Sequence, residues 1–405
     1  MALFSLLPKN LSRDKILKSV IIAVGLWYVI VCLAGYFYQR PMWNDEECVF
    51  YSIKAFDAEM IFSRSLLSIQ VFPRVYLFVI QQFSKLFDFH LLALRFFPLI
   101  CMVGAFLIWI KIASYEFKKR EELLVFVLSW PASALLLYYT SELKQYSMDV
   151  LVAAVFLLFL YYQEKLEKTR PDLRYRFILM LLPALIFISY ITLFFCLLPL
   201  WNLVLSYREN KTALKYLVIY LLSMGIFLVF SYAFDIRLRP VAILTQEWRD
   251  YLISVESVPE FLKTFGEGTM NLLSRWFVER PKILKKIGVF FVMPGFLYMF
   301  YAFFKNIKKY RFRLQSLETI AFVLYGELFF LGLLKKYPFT VPRTSLFFCP
   351  VVLLFVVKWL SASARIHPYL SRALYGLYTV FLIFLAVSLA RIAFAGGLVF
   401  RPVLW

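Results

Sequence analysis

The chain alternates long apolar runs with short clusters of basic residues, and that alternation constrains its fold more than any other feature. An α-helix needs about 20 apolar residues to cross the hydrocarbon of a bilayer, where every backbone polar group must be satisfied internally. Hydrophobic residues make up 62% of the 405, and mean hydropathy is +0.75, beyond the usual apolar share of soluble domains. The expected class is an all-α polytopic membrane protein. Neither an internal repeat nor a low-complexity linker divides it, so residues 1–405 read as a single membrane domain.

The net charge of +20 does not point to nucleic acid, because the lysines and arginines sit between the apolar runs, where membrane orientation requires them. Basic residues gather on the cytoplasmic side, so spans and direction are assigned together. The first run, 16–38, follows Lys9, Arg13 and Lys15, carries Lys18 at its start and has no small-residue cleavage site after it, and it reads as a retained first helix running outward. Residues 39–90 form a first external loop, in which the charge-interrupted pieces 48–62 and 72–87 read as interfacial helices. Spans follow at 91–112, 123–140 and 150–163, then a pair of short spans over 177–206 broken near Ser189-Tyr190, then 216–234. A second large external loop covers 235–286, and the last spans are 287–304, 317–334, 346–360 and 373–392. The total is about eleven transmembrane helices, a parity that keeps the orienting basic clusters on one side. Cys32, Cys101, Cys196 and Cys349 lie in apolar runs and only Cys48 in a loop, so no disulfide framework is visible. Two histidines, His90 and His367, argue against a His-rich metal centre.

This topology collects unusual polar residues outside. Trp43-Asn44-Asp45-Glu46-Glu47 puts three consecutive acids just past the first span, where desolvation near lipid opposes charge. A solvated loop starting at Arg40-Pro41 is the alternative reading. In the stretch 138–149, Tyr138, Glu142, Gln145 and Asp149 are spaced to share one face if the segment is helical, with Tyr146 beside them. An ordinary helix end with Lys144 as a snorkelling residue is the plainer alternative. Lys335-Lys336-Tyr337-Pro338-Phe339-Thr340-Val341-Pro342-Arg343 is basic and external, against the positive-inside tendency, which suggests an anionic partner such as a lipid phosphate. For Lys335 and Lys336, snorkelling to ordinary headgroups explains the charge as well. The loop 235–286 adds Glu247, Trp248, Arg249, Asp250, Glu267 and Trp276, which solvated helices account for equally well as sugar contacts do.

The order of these pieces carries a resemblance. The acidic pair after the first span, Phe72-Pro73 followed by Ala93-Leu94-Arg95, the stretch Tyr-Tyr-Thr-Ser-Glu-Leu-Lys-Gln-Tyr-Ser-Met-Asp and the late Tyr-Pro-Phe-Thr-Val-Pro-Arg-Thr-Ser-Leu-Phe-Phe-Cys-Pro together resemble the GT-C glycosyltransferases. The likeness is to the family 39-like branch, with its protein O-mannosyltransferases and lipid A aminoarabinose transferase, and covers roughly residues 15–360. It implies a GT-C-like architecture and sugar transfer from a polyprenyl-phosphate donor on the non-cytoplasmic face. It further implies a catalytic Asp45 with Glu46 as its neighbour, a second acidic site from Glu142 to Asp149, and Arg343 facing the carrier phosphate. Two departures stand out: Cys48 or Val49 replaces the basic residue that some members carry after the acidic pair, and Val71-Phe72-Pro73-Arg74 replaces Lys-Pro-Pro. Arg74 is therefore a further candidate for the phosphate.

Such chemistry asks for a base to deprotonate an acceptor hydroxyl, acids near an oxocarbenium-like transition state, and cations on the leaving phosphate. Asp45 suits the first role, Glu142 or Asp149 the second, and Arg343 with Arg74 or Lys336 the third, while Gln145 and Tyr146 line the same substrate region. A divalent metal between carboxylate and phosphate is compatible with these residues and left open by them. The expected partners are a polyprenyl-phosphate-linked sugar, a glycan, lipid or protein acceptor, and membrane lipids. The compact external loops favour a bacterial inner membrane and a role in the cell envelope. A transporter or lipid flippase is the main rival, and its charges would lie nearer mid-span and its halves look alike. A non-catalytic partner in an envelope polysaccharide complex is the third reading.

Overall fold

The computed structural model describes residues 13–168, 173–209, 211–239, 246, 248, 251–277, 281–310, 314, 316–338, 341–364 and 366–395. Among these the regular structure is helical. Helix α1 (Arg13–Phe37) leads into three short helices, α2 (Asn44–Ala55), α3 (Ala58–Ser63) and α4 (Arg74–Lys85). They stack on one another and on the start of the long α5 (Leu91–Glu116). Helices α6 (Arg120–Ser129) and α7 (Ala134–Tyr138) form a bent pair ahead of α8 (Tyr146–Lys168). Then come α9 (Leu173–Leu181), α10 (Thr192–Phe195), α11 (Leu197–Glu209) and α12 (Leu214–Phe234). The chain closes with α13 (Val258–Ser274), α14 (Lys282–Tyr310), α15 (Leu317–Leu333), α16 (Cys349–Ser363) and α17 (Pro368–Phe394).

Seven of the described helices are long and apolar enough to cross a membrane, or eight if the bent pair α6–α7 counts as one span. The protein is thus a polytopic helical membrane protein. The departures from about eleven straight spans have local causes. Helix α15 has the composition but runs only 17 residues. Over 173–209 the chain forms a chain of pieces rather than two clean helices: Pro183 opens a 3-10 turn at Leu182–Phe187, and α10 starts only after Tyr190-Ile191. The first loop holds short helices, α2, α3 and α4, in place of the two pieces 48–62 and 72–87.

Large side chains left exposed, among them Ile22, Leu26, Leu107, Leu222, Val229, Leu297 and Val380, stand on outer faces of spanning helices, as contact with lipid requires. Inside, α5 packs along α8 and α14 along α16. Gly295 makes the second contact possible: a Cβ there would lie 2.6 Å from the Val356 Cα.

Polar side chains collect at the two ends of this bundle. At one end, Lys358 of α16 bridges Glu318 of α15 at 2.6 Å and Glu116 of α5, while Arg120 pairs with Asp14 and Tyr375 donates to the Glu121 carbonyl. At the other end lie α2, α4, residues 138–149, the turn at 188–191 and Arg343.

Candidate functional site

The acids after the first span face three different surroundings. Asp45, Glu46 and Glu47 occupy the first turn of α2, whose free backbone N–H groups favour negative charge. Successive helical positions point about 100° apart, so their environments diverge. Glu47 is exposed to solvent.

Glu46 is fully buried in a closed clamp. Arg95 grips it as a fork, Nε to Oε1 at 3.0 Å and Nη2 to Oε2 at 2.8 Å, and Arg40 adds Nη1 to Oε2 at 2.9 Å. The Leu143 amide donates to Oε1 at 2.8 Å, and the remaining Arg95 Nη1 donates to the Arg40 carbonyl at 2.7 Å. With its lone pairs committed, this carboxylate ties α2, α5 and the 138–149 segment together.

Asp45 is partly open, its side chain 20% exposed. Its Oδ2 accepts from Arg343 Nη1 at 2.9 Å, and Oδ1 lies 3.2 Å from Lys144 Nζ. Burial pushes this carboxyl up, but the charges of Lys144 and Arg343 outweigh it and hold Asp45 below the usual carboxylate range. Lys144 is itself buried and donates to Gln70 Oε1 at 2.6 Å. Gln70 follows Ser68 and Ile69, whose φ values of 52° and 58° put two consecutive non-glycine residues in left-handed backbone. Strain of about 1–3 kcal/mol per such residue persists only where the surroundings enforce it, and it recurs at functional sites. Arg343 is buried between Trp43 and Trp248, its guanidinium 5.8 Å and 5.4 Å from their rings. Tyr337 and Thr344 fix its loop, with the Tyr337 hydroxyl donating to the Thr344 carbonyl at 2.5 Å.

The segment 138–149 is not one helix, so the expected polar stripe does not form. A 3-10 turn at Tyr139–Ser141 ends in extended backbone at Glu142, and α8 begins only at Tyr146. Thr140 and Ser147 hydroxyls return to the carbonyls of Leu137 and Tyr139, competing with helix continuation, and the Glu46 carboxylate takes the Leu143 amide that the break frees. The predicted residues consequently separate. Glu142 turns inward, fully buried, with no hydrogen bond to either carboxyl oxygen and Arg40 Nη2 at 3.8 Å. Burial, with the Glu46 charge adding to it, drives its carboxyl well above the ordinary range. Tyr146 is buried with its ring edge-on to Tyr139, and Gln145 keeps a buried carbonyl oxygen with no donor. Asp149 accepts from the Ser189 hydroxyl at 2.5 Å. Lys336 stays at the surface, outside the Asp45 centre. Arg74 joins a different cluster, around Asp235.

Among the described residues no group of three or more His, Cys, Asp or Glu side chains converges as metal ligands do, and the two Asp45 oxygens already face cations. No family model, curated protein or solved structure matches the chain. The geometry itself therefore carries the functional reading.

Some of the site escaped sequence reasoning. Arg40 and Arg95 close the Glu46 clamp, Lys144 is an ion-pair partner rather than a snorkelling residue, and Gln70 bridges to it. An arginine at position 95, inside an apolar run, was the available signal, because such a charge is rarely unpaired. Of the loop 235–286, Trp248 reaches Arg343 and Trp276 is buried in the core, whereas Glu247, Arg249 and Asp250 lie outside the described residues, as do Phe339 and Thr340.

Proposed function

We propose that this protein is an integral membrane glycosyltransferase of GT-C type, transferring a sugar from a polyprenyl-phosphate donor to an acceptor on the non-cytoplasmic face of a bacterial inner membrane. One observation carries the reading: a partly open carboxylate, Asp45, is held between two buried cations, Lys144 and Arg343, that come from chain segments far apart in sequence. The centre bears one acid and two bases, a net positive charge suited to a phosphate.

In the resting state the cations keep Asp45 ionised and weakly basic. A donor phosphate competes for Lys144 and Arg343 and draws them from Asp45. Burial then dominates and Asp45 becomes a better base. It accepts the proton of the acceptor hydroxyl as the acceptor oxygen bonds to the anomeric carbon and the bond from that carbon to the phosphate oxygen breaks. The electron pair leaves with the polyprenyl phosphate, whose added charge Arg343 and Lys144 stabilise. Glu46, bound on every side, positions α2 and does not react. The Trp43 and Trp248 rings beside Arg343 offer flat apolar surfaces of the kind that pack on sugar rings.

The test is incubation of the purified protein with a panel of polyprenyl-phosphate sugars. Transfer or release of one sugar, with Arg343→Ala impairing use of the lipid donor by about tenfold or more, is the expected result. Donor dependence unchanged in Arg343→Ala removes the phosphate contact from the reading.

A further inference from the structure

A second basic centre lies at the same end of the bundle, and the reaction proposed above does not use it. Its members come from three elements: Arg74 opens α4, Tyr190 sits in the turn before α10, and Asp235 with Arg239 follows α12. Both Asp235 oxygens accept from the Tyr190 hydroxyl, each at 2.8 Å. The two guanidiniums stand farther off, with Arg74 Nε and Arg239 Nε each 3.7 Å from Asp235 Oδ1. Arg239 also lies over the Tyr190 ring, 3.8 Å from its centroid. Arg74 is buried, one of its terminal nitrogens donating to the Ile61 carbonyl at 3.1 Å.

This cluster is unlike a closed structural clamp. In the Glu46 clamp all three Arg95 nitrogens and both Arg40 terminal nitrogens find acceptors within hydrogen-bond distance, and Arg40 Nε alone is unmet. Here Arg74 Nε, Arg239 Nε and Arg239 Nη2 are buried with no hydrogen-bond acceptor. Leaving buried charged donors unmet costs free energy that a ligand with several acceptor oxygens would recover. One carboxylate against two guanidiniums leaves a net positive charge, and the free donors on two separate planar groups match a tetrahedral oxyanion better than a planar carboxylate.

The centre is distinct from that of Asp45 but linked to it. Gln70, four residues before Arg74, binds Lys144, and Ser189, next to Tyr190, binds Asp149. Short stretches of chain thus tie the two centres to the same region of the bundle.

We propose that Arg74 and Arg239, spaced by Asp235 and Tyr190, form a second anion-binding centre that takes a phosphate group, either from a phospholipid headgroup or from a phosphorylated water-soluble molecule. Binding here needs no sugar transfer, so it is tested apart from the reaction. The experiment uses full-length Arg343→Gln protein in phosphatidylcholine nanodiscs, which disables the first centre, titrated calorimetrically with inorganic phosphate and, separately, assembled with phosphatidylglycerol and counted by native mass spectrometry. The expected result is retained binding of one probe, weakened about tenfold by Arg239→Gln and tightened by Asp235→Asn, which removes the competing carboxylate. The tightening separates a binding role from a structural one, since loss of a structural carboxylate would only loosen the cluster. Saturable phosphatidylglycerol that blocks inorganic phosphate identifies the headgroup as the source, and phosphate binding indifferent to phosphatidylglycerol identifies a soluble one. Absence of binding by both probes, or binding that ignores both substitutions, overturns the proposal.

Discussion

Asp45, Glu46 and Glu142 share one neighbourhood, yet their surroundings assign them different chemistry. Asp45 is held low by Lys144 and Arg343 against the opposing push of burial, so removing one cation lets burial prevail. Arg343→Gln is expected to raise the Asp45 pKa, read by infrared titration of the carboxylate band, and an unchanged titration would contradict the pairing. Glu142 behaves oppositely. Its folded pKa lies above the unfolded value of 4.5, so the folded state holds a proton that the unfolded state has released, and stability falls as pH rises from about 4.5 through the folded pKa. Glu142→Gln is expected to flatten that decline and to raise Tm relative to the wild type at pH 8, with no gain at pH 4. Equal Tm differences at both pH values would show that Glu142 does not carry the effect. Glu46→Gln leaves two buried guanidiniums undercompensated and is expected to cost about 3–5 kcal/mol, measured by chemical unfolding in detergent. The positions of Asp45 and Glu46 were legible in the sequence as a costly run of acids, whereas their division of labour was not, because it depends on Arg40, Arg95, Lys144 and Arg343 arriving from elsewhere in the chain.

Among the elements, those whose stability comes from uninterrupted apolar length were the readable ones. The runs at 16–38, 91–112, 216–234 and 373–392 became α1, α5, α12 and α17 with shifts of a few residues at most of their ends. Helical spacing misled at 138–149, where Ser and Thr hydroxyls and the distant Glu46 carboxylate satisfy the backbone better than a continued helix would. At 182–196 the break expected near Ser189-Tyr190 is present, and its turns carry Ser189 and Tyr190 to Asp149 and Asp235. Helix proximity has its own test: Gly295→Ala sets a Cβ against the Val356 backbone at 2.6 Å, and the forced separation of α14 from α16 is expected to cost about 1–3 kcal/mol. Gly225→Ala, in open surroundings, is expected to leave the unfolding midpoint nearly unchanged, and equal effects at the two sites would contradict the close contact.

Across the whole molecule, charge is sorted into two end layers separated by apolar helix faces. One layer is a set of ion pairs around Lys358, Glu318, Glu116, Arg120 and Asp14 that joins helix ends. The other holds the Asp45 centre and the Asp235 cluster, where cations outnumber acids and several donors stay unmet. Counting basic clusters along the sequence was enough to bring Asp45, Asp149 and Arg343 to one end, because lipid forces charge to the ends whatever the tertiary detail. The central claim is that Asp45 takes the acceptor's proton, and single-turnover transfer from a polyprenyl-phosphate sugar tests it most directly. With Asp45→Asn folded like the wild type, transfer is expected to fall by at least about a hundredfold while the donor still binds, and near-wild-type turnover in that variant would contradict the account.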